Sequence, residues 1–223
     1  MVDVPARRNY KQNCPIARGL DVLGERWTLL ILRELLGGPR RYGDLRSDLP
    51  GIATNLLADR LRELEEAGLV ERTELPPPIA RTVYTLSDAG WRKVPPVIRA
   101  VATFGLELLE PAGSAPTPLN GFLAGILLGF GGGGERCGSY RVDVDGRRFE
   151  FGVHGGNLTA ARGSPTVTVT ANAADLITAR LGATAAERKA ALKRVRFDGD
   201  RDDIDAMRAA FRLSADPGLP AGG

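Results

Sequence analysis

A proline-rich stretch divides this chain into two unlike halves. The segment at 111–118, PAGSAPTP, holds three prolines in eight residues, and such a composition favours the extended, unpaired backbone of a linker. Before it, apolar residues recur at helical spacing, whereas after it come a glycine run and stretches that alternate with a period of two. We therefore predict an α+β protein of two domains, 1–112 and 139–215, joined by a linker and an apolar helix at 113–138.

Composition narrows the class of protein further. The chain has 223 residues, 43% of them hydrophobic, and its 30 basic and 27 acidic residues leave a net charge of only +3, which does not by itself indicate a nucleic-acid partner. Cys14 and Cys137 are too few for a disulfide framework or a four-ligand zinc site. The first fifteen residues lack the apolar run of a signal peptide, and the apolar run at 119–130 is too short to cross a bilayer. We expect a cytoplasmic protein with no membrane partner.

The N-terminal half has the element order of a winged helix-turn-helix. Asn13-Cys14-Pro15 begins a helix that ends at Gly24. A helix over about 25–36 is expected next, with Trp27, Leu30, Ile31 and Leu35 inward. It is followed by a short helix over 42–48, a glycine-containing turn, a helix over about 53–67 and strands at 69–73 and 82–86. The last element is a helix that is interrupted or kinked near Pro95-Pro96 and continues to about 109. A short helix, tight turn, longer helix and hairpin in this order are typical of the winged helix-turn-helix.

The helix over 53–67 is the candidate recognition helix. Leu57, Leu61 and Leu64 form its apolar stripe, while its first turn carries the small or hydrogen-bonding side chains Thr54 and Asn55. Asparagine suits bidentate pairing with adenine in a major groove that is about 12 Å wide.

Arginines near the motif are candidates for contact with DNA. Arg41, with Arg40 beside it, precedes the short helix, and Arg81 lies near the tip of the wing, so these side chains are placed to reach phosphates. Arg60 is a further candidate from the recognition helix, although the helical wheel puts it beside the core stripe. The alternative is that the leucine stripe marks only a packed helix, since winged helices also serve as protein-interaction modules.

The stretch from Cys14 to Gly90 resembles the HxlR-type winged-helix transcription regulators, relatives of the MarR group. The Cys-Pro start, the Gly-x-Trp of LGERW, the Arg-Tyr-x-x-Leu and the Pro-Gly-Ile all fall in register. The resemblance implies a homodimer, joined by the segment before Cys14 and the helix around 97–109, that binds a pseudo-palindromic operator in double-stranded DNA. Half-sites would lie roughly 34–36 Å apart. The chain departs from the family at Ala53, where a capping serine is usual, and at Phe104, where relatives tend to have tryptophan.

Cys14 is a candidate redox sensor. The resemblance implies this role, because some family members use a cysteine here to sense electrophiles or oxidants. A helix N-terminus stabilises a thiolate, and Arg18 one turn further on is placed to assist. The alternative is a small, inert hydrophobe in the dimer contact. Cys137 is a candidate resolving thiol, although the sequence does not show that the two cysteines are close.

The C-terminal half predicts a single sheet with helices. Strands are expected at 139–144 and 147–153 around an Asp145-Gly146 turn, then at 157–162, 166–171 and 195–198. Asn172-x-x-Asp175 and Thr184-x-x-Glu187 are typical helix caps, and a last helix is expected over 202–213.

The order of these elements resembles a sterol-carrier-protein-like (SCP2-type) domain. The resemblance runs from about Ser139 to Leu213 and includes the strand TVTVTA, the helix of AADLITARLGA and the late VRFDGD strand. It implies an apolar cavity for an acyl chain, a sterol or another hydrophobic small molecule. The candidate lining residues, each of which is otherwise plain core, are Phe122, Leu127, Phe151, Leu176, Leu181 and Phe211.

The sequence does not point to an enzyme, a metal site or a cofactor. His154, the single histidine, stands at an expected strand end and is interpreted as a turn residue. The glycine run at 131–134 lacks the Lys-Ser/Thr of a phosphate-binding loop. The acidic cluster around 198–205 lacks the pattern of an EF-hand and is better explained by helix capping.

These observations predict a ligand-responsive transcriptional regulator, a repressor, with DNA, a second copy of the chain and a hydrophobic effector as partners. Its main rival is a lipid-binding or carrier protein in which the winged helix only dimerises or docks a partner. A third hypothesis is a redox regulator whose second domain takes no part in sensing.

Overall fold

The computed structural model describes residues 9–75, 81–105, 108, 137–155, 157–182 and 184–210. Most of the predicted linker and apolar helix, the tip of the wing and the end of the last predicted helix therefore lie outside the described residues. Within the described ranges, none of the helices combines the length and the apolar character that a bilayer crossing requires.

The N-terminal half is a helical cluster with a two-stranded wing. Its elements are α1 (Pro15–Leu23), α2 (Thr28–Leu35), α3 (Tyr42–Asp48), α4 (Thr54–Glu66), β1 (Val70–Leu75), β2 (Arg81–Leu86) and α5 (Asp88–Gly105). The strands β1 and β2 are antiparallel, with Val70 opposite Leu86 and Leu75 opposite Arg81. Arg40 extends this ribbon, because its backbone exchanges two hydrogen bonds with Tyr84, at 2.9 and 2.7 Å. The wing is thereby attached to the chain that leads into α3.

The predicted leucine stripe of α4 is confirmed as the centre of this half. Leu57, Leu61 and Leu64 are each at most 1% exposed. They belong to the same buried cluster as Ile31, Leu32 and Leu35 of α2 and Leu45 of α3. Burial of each such side chain contributes roughly 1.5–3 kcal/mol of transfer free energy. The opposite face of α4 is left to solvent.

The second helix begins later than the sequence predicts. Trp27 has a φ of 80°, a left-handed conformation that a helix cannot include, so α2 starts at Thr28 rather than near residue 25. The prediction that Leu30 points inward is also wrong, because that side chain is 39% exposed.

The last helix of the N-terminal half is not interrupted by its two prolines. The helix α5 runs from Asp88 to Gly105 with Pro95 and Pro96 inside it, so the interruption that the sequence allows at that point does not occur. Proline removes one helical hydrogen bond and crowds the preceding turn. Burial of Trp91, Val94 and Ile98 against the core offsets that cost.

The C-terminal half is one mixed sheet with three helices, as far as the described residues go. Its elements are β3 (Gly138–Val144), β4 (Arg147–His154), β5 (Asn157–Thr159), β6 (Val167–Ala171), α6 (Ala173–Leu181), α7 (Ala185–Leu192), β7 (Arg196–Gly199) and α8 (Arg201–Ala210). The strand order is β5-β4-β3-β6-β7, and the pair β3–β6 is parallel while the others are antiparallel. The predicted caps are confirmed, since Asn172 and Thr184 each accept a hydrogen bond from the backbone N–H three residues on.

The two faces of this sheet differ in chemistry. Tyr140, Phe149 and Phe151 lie on the face that is buried in the core, and the rings of Tyr140 and Phe151 stack with their centroids 5.4 Å apart. The other face carries cross-strand ion pairs, of which Arg141 with Glu150 at 2.8 Å is one. Alternation along each strand produces this division.

The two halves touch where α5 lies beside β5 and at the start and the end of α3. The guanidinium of Arg40, just before α3, lies over the ring of Phe149 at 4.9 Å from its centroid. At the other end of α3, Arg147 Nη2 lies 2.6 Å from Asp48 Oδ1, and this carboxylate is only 9% exposed. The strand β4 thus contacts the helix-turn-helix directly.

Candidate nucleic-acid interface

The helices α3 and α4 form a helix-turn-helix whose second helix presents its N-terminus to solvent. Gly51 in the turn has a φ of 95°, a conformation that glycine adopts at little cost. The hydroxyl of Tyr42 at the start of α3 donates a hydrogen bond of 2.6 Å to the carbonyl of Thr54. This bond holds the beginning of α4 against α3, while the side chains of Thr54 and Asn55 are exposed.

The electrostatics of the first turn of α4 suit an anion. Ala53 occupies the N-cap without a side-chain hydrogen bond, and no acidic residue stands in the first turn. Thr54 is the first residue of the helix and not its cap. Backbone N–H groups at an uncapped helix start carry a partial positive charge that favours a phosphate.

Two of the predicted phosphate contacts are exposed. Arg41 stands at the N-cap of α3, where its backbone N–H donates to Asp44 Oδ2 at 3.1 Å, and its side chain is free to extend into solvent. Arg81 is the first residue of β2, directly after the loop at the tip of the wing, and is exposed too. Both side chains are therefore accessible to a phosphate.

Arg60 does not fit the role that the sequence assigns to it. Its guanidinium is held by Glu63 and, at 3.1 Å, by Glu25, and its side chain is only 13% exposed. A guanidinium that is occupied by two carboxylates and largely covered cannot extend into a groove in this conformation. Arg60 instead ties α4 to the chain that precedes α2.

Arg40 also departs from its expected role beside Arg41. Its side chain lies over Phe149 rather than extending to solvent, and Nη1 donates to the carbonyl of Pro39 at 3.3 Å. Burial lowers the pKa of Arg40 from its usual value, with nearby Glu34 acting in the opposite direction. The residue links the two halves, and sequence reasoning had no means of finding a partner 109 positions away.

Cys14 is the N-cap of α1, with Pro15 at the first helical position as predicted. The backbone N–H groups of Ala17 and Ile16 lower the pKa of its thiol. Arg18 does not assist, because it pairs with Asp21 at 3.6 Å.

The candidate ligand-lining residues are only partly described. Phe151 and Leu176 are buried, at 0% and 2% exposure, in the core beneath the sheet. Phe122, Leu127 and Phe211 lie outside the described residues, and so does the side chain of Leu181 in α6.

The described residues also contain a groove of about 310 Å³ in the N-terminal half. Leu23 of α1, Leu29 of α2 and Val97 of α5 line it, together with Gly19, Val22, Leu32, Ala67, Leu69, Lys93 and Val94. It is therefore separate from the predicted ligand-lining set.

The acidic cluster around 198–205 acts as a helix cap, as the sequence predicts, because Asp200 Oδ1 accepts the N–H of Asp202 at 2.9 Å.

The family model and the curated relatives that match this chain all indicate one family. The model of the HxlR-like helix-turn-helix family matches residues 22–112. The uncharacterized HTH-type transcriptional regulator sll1512 of Synechocystis is 41% identical over 97 residues, which are 44% of this chain and 71% of that protein. The uncharacterized HTH-type transcriptional regulator YvaP of Bacillus subtilis is 31% identical over 105 residues, which are 47% of this chain and 96% of that protein.

Among solved structures, a putative MarR-family transcriptional regulator from Porphyromonas gingivalis is 34% identical, and the match covers 46% of this chain and all of that one, with a TM-score of 0.41. The two curated relatives are similar over most of their own length, and the matched region contains the helix-turn-helix and the wing. The chain therefore belongs to the HxlR-like helix-turn-helix family of transcriptional regulators.

Proposed function

We propose that this protein is a homodimeric repressor that binds a pseudo-palindromic operator and responds to a hydrophobic small molecule. The observation that carries the proposal is the exposed, uncapped N-terminus of α4, which is free of acidic residues in its first turn. Residues 1–112 would bind DNA and dimerise, and residues 139–215 would hold the ligand. Residues 113–138 would connect these two domains. The repressor role predicts that deleting the gene raises expression of a reporter under its operator.

The proposed contacts divide between bases and phosphates. Thr54 and Asn55 would enter the major groove, where asparagine pairs with the edge of adenine. Arg41 and Arg81 would bind phosphates on either side of the groove. Arg60 is left out of this set because its charge is already satisfied by two glutamates.

Fluorescence anisotropy with a duplex from the DNA that flanks the gene tests these contacts. We expect Asn55→Ala to cost about 1–3 kcal/mol, because a bidentate contact is lost at one base position. Arg81→Ala and Arg41→Ala should each weaken binding to all sequences alike and reduce the salt slope by about one. Arg148→Gln, an exposed arginine of β4, is the matched control. Unchanged affinity in all three variants would refute the assignment of the groove-facing surface.

The proposed dimer explains why large apolar side chains are exposed on α1 and α5. Ile16 is 74% exposed and Phe104 is 76% exposed, with Leu20 and Val101 at 43% and 49%. Large apolar side chains exposed in this number are typical of an interface if they form one patch. In sedimentation experiments, Phe104→Glu and Ile16→Glu should produce monomers, while Arg92→Gln, on the exposed part of α5, should leave the dimer intact. Dimers in both glutamate variants would contradict the assignment.

The ligand response would pass through the contact between β4 and α3. Phe149 lies on the same buried sheet face as Phe151 and also touches Arg40, so a ligand against this face would favour one arrangement of the helix-turn-helix over another. A fluorescent fatty acid tests this with the full chain. We expect saturable binding, displacement by unlabelled oleate and a change in operator affinity. Absence of saturable binding would refute the ligand site without affecting the DNA-binding proposal.

Cys14 would make the protein respond to a second kind of signal, a reactive electrophile or oxidant. Its lowered thiol pKa raises the fraction of reactive thiolate at neutral pH. We expect Cys14→Ser to bind operator normally but to resist release by a quinone. Release equal to that of the unmodified protein would refute the role.

A further inference from the structure

A cysteine and the chain's single histidine face each other across two strands of the C-terminal sheet. Cys137 Sγ lies 3.1 Å from His154 Nδ1, and both side chains are exposed. The register explains the approach: Gly138 of β3 pairs with Val153 of β4, so the residues one step further out stand opposite each other. Neither residue belongs to the proposed DNA, dimer or ligand surfaces.

The pair belongs to the polar face of the sheet. Alternation along β3 places Cys137 on the same side as Arg141 and Asp143, whose partners on β4 are Glu150 and Arg148. The backbone of His154 is fixed on its other side, because β4 also pairs with β5 there. The imidazole is therefore attached to a strand with neighbours on both sides, which limits how far it can move from the thiol.

This arrangement contains the two parts that an activated thiol needs. The thiolate is the nucleophilic form of cysteine, and a neighbouring imidazole favours it by accepting the thiol proton. With its own proton on Nε2, the His154 ring offers Nδ1 as the acceptor, and Nδ1 is the atom that faces Sγ. Exposure of both residues leaves the sulfur open to small molecules in solution.

We propose that Cys137 and His154 form a reactive thiol–imidazole pair at which soft electrophiles, such as α,β-unsaturated carbonyl compounds, add covalently to the sulfur. The thiol proton passes to Nδ1, and a sulfur electron pair forms the new bond to the β-carbon. The electrons of the carbon–carbon double bond move onto the carbonyl as an enolate. The imidazolium then returns the proton to the α-carbon. The product is a thioether, and the addition needs no oxidant.

The test uses the full chain with Cys137 as its only thiol. The sequence contains two cysteines, so Cys14→Ser leaves one, and intact mass measures its rate of alkylation by N-ethylmaleimide. We expect His154→Gln in this background to slow alkylation at least tenfold at pH 6.5. At pH 9.5, where a free thiol ionises without help, the two rates should converge. Arg148→Gln, further along the same polar face, is the control and should react at the parent rate.

Two outcomes would overturn the proposal. Rates within twofold at pH 6.5 would show that the imidazole does not activate the sulfur, and equal slowing at both pH values would show that His154 affects only access. A second readout needs no histidine variant. The chain has one imidazole, so only one Hε1 signal of a histidine ring is expected, and alkylation of Cys137 should shift that resonance. An unchanged resonance would contradict the contact. No DNA or lipid is present in either measurement, so neither depends on the proposed function.

Discussion

The two halves of this molecule differ in how completely each one covers its apolar side chains. Among the described residues, the large hydrophobic side chains that remain exposed all lie in the N-terminal half: Tyr10, Ile16, Leu20, Leu30, Val101, Phe104 and Leu108. The described sheet of the C-terminal half buries its large apolar residues and leaves ion pairs on its outer face. The exposed apolar side chains of the N-terminal half agree with the proposed dimer, whereas the C-terminal half packs its apolar residues within itself and against α3 and α5.

The strand β4 is where this difference can be tested. Phe149 and Phe151 stand two residues apart on the same buried face, at 1% and 0% exposure. Phe149 touches Arg40, and a Cβ on Gly37 would lie 2.7 Å from its ring. Phe151 instead stacks on Tyr140 within the sheet. One side chain therefore belongs to both halves, and the other belongs to the sheet.

The largest expected effect comes from removing these two rings. Phe149→Ala and Phe151→Ala should each lower the free energy of unfolding by about 3–5 kcal/mol, because each leaves a large cavity. Urea denaturation measures the loss. Amide hydrogen exchange should then distinguish the two variants. The amides around Arg40 and in α3 should exchange faster in Phe149→Ala but not in Phe151→Ala. Identical exchange in α3 would contradict the assigned contact between the halves.

The next largest effect is expected at glycines that lie close to a neighbouring backbone carbonyl, and we compare one such glycine from each half. A Cβ on Gly90 in α5 would collide with the carbonyl of Leu69, and a Cβ on Gly152 in β4 would lie 2.6 Å from the carbonyl of Ala160. Overpacking of this kind costs about 1–3 kcal/mol, so both alanine variants should unfold at lower urea concentrations. Gly43→Ala is the control, since open space surrounds that position, and it should not lower stability.

Removing a polar helix cap should cost less stability, and the cost should differ between the two halves. The hydroxyl of Ser87 donates to the carbonyl of Gly68 at 2.6 Å and accepts the N–H of Gly90 at 2.9 Å, and the residue is 6% exposed. Ser87→Ala should cost about 1–2 kcal/mol, since the buried N–H of Gly90 loses its acceptor. Asn172→Ala removes an exposed cap and should cost about 1 kcal/mol. Thermal denaturation ranks the two, and a larger loss for Asn172→Ala would contradict this account of burial.

The smallest expected effect is a pH dependence that belongs to the C-terminal half. The hydrogen bond from Arg194 holds the pKa of Asp175 below its usual value, and Asn172 contributes in the same direction. A carboxyl whose folded pKa is lowered stabilises the fold above its unfolded pKa of about 3.9, and that stabilisation disappears as the pH falls through the folded pKa. Arg194→Gln should therefore lose stability at pH 7 but little at pH 2. Equal losses at both values would refute the linkage.

The sequence predicted the parts of the fold that local pattern determines. The stripe of Leu57, Leu61 and Leu64, the bounds of α3, the Asp145-Gly146 turn and the caps at Asn172 and Thr184 all follow from periodicity or turn chemistry within a few residues.

The rest depended on contacts that a local pattern does not contain. The left-handed Trp27, the uninterrupted α5 and the ion pairs of Arg60 arise from packing between distant segments. Arg40 and Phe149 stand more than a hundred positions apart, and the hydroxyl of Tyr42 meets α4 only after the turn has formed. The exposed residues Thr54, Asn55, Arg41 and Arg81 could be proposed from sequence because a winged helix presents them at fixed places.

Selection of duplexes from a randomised library by the full-length protein tests the central claim most directly. If α4 and the wing of two copies bind one operator, the enriched sequences should contain two inverted half-sites with centres about one helical turn apart, roughly 10–10.5 base pairs. The same selection with Asn55→Ala should lose preference at one symmetric position in each half-site. Failure to enrich any sequence, or enrichment of a single half-site without symmetry, would contradict the proposed dimeric DNA-binding function.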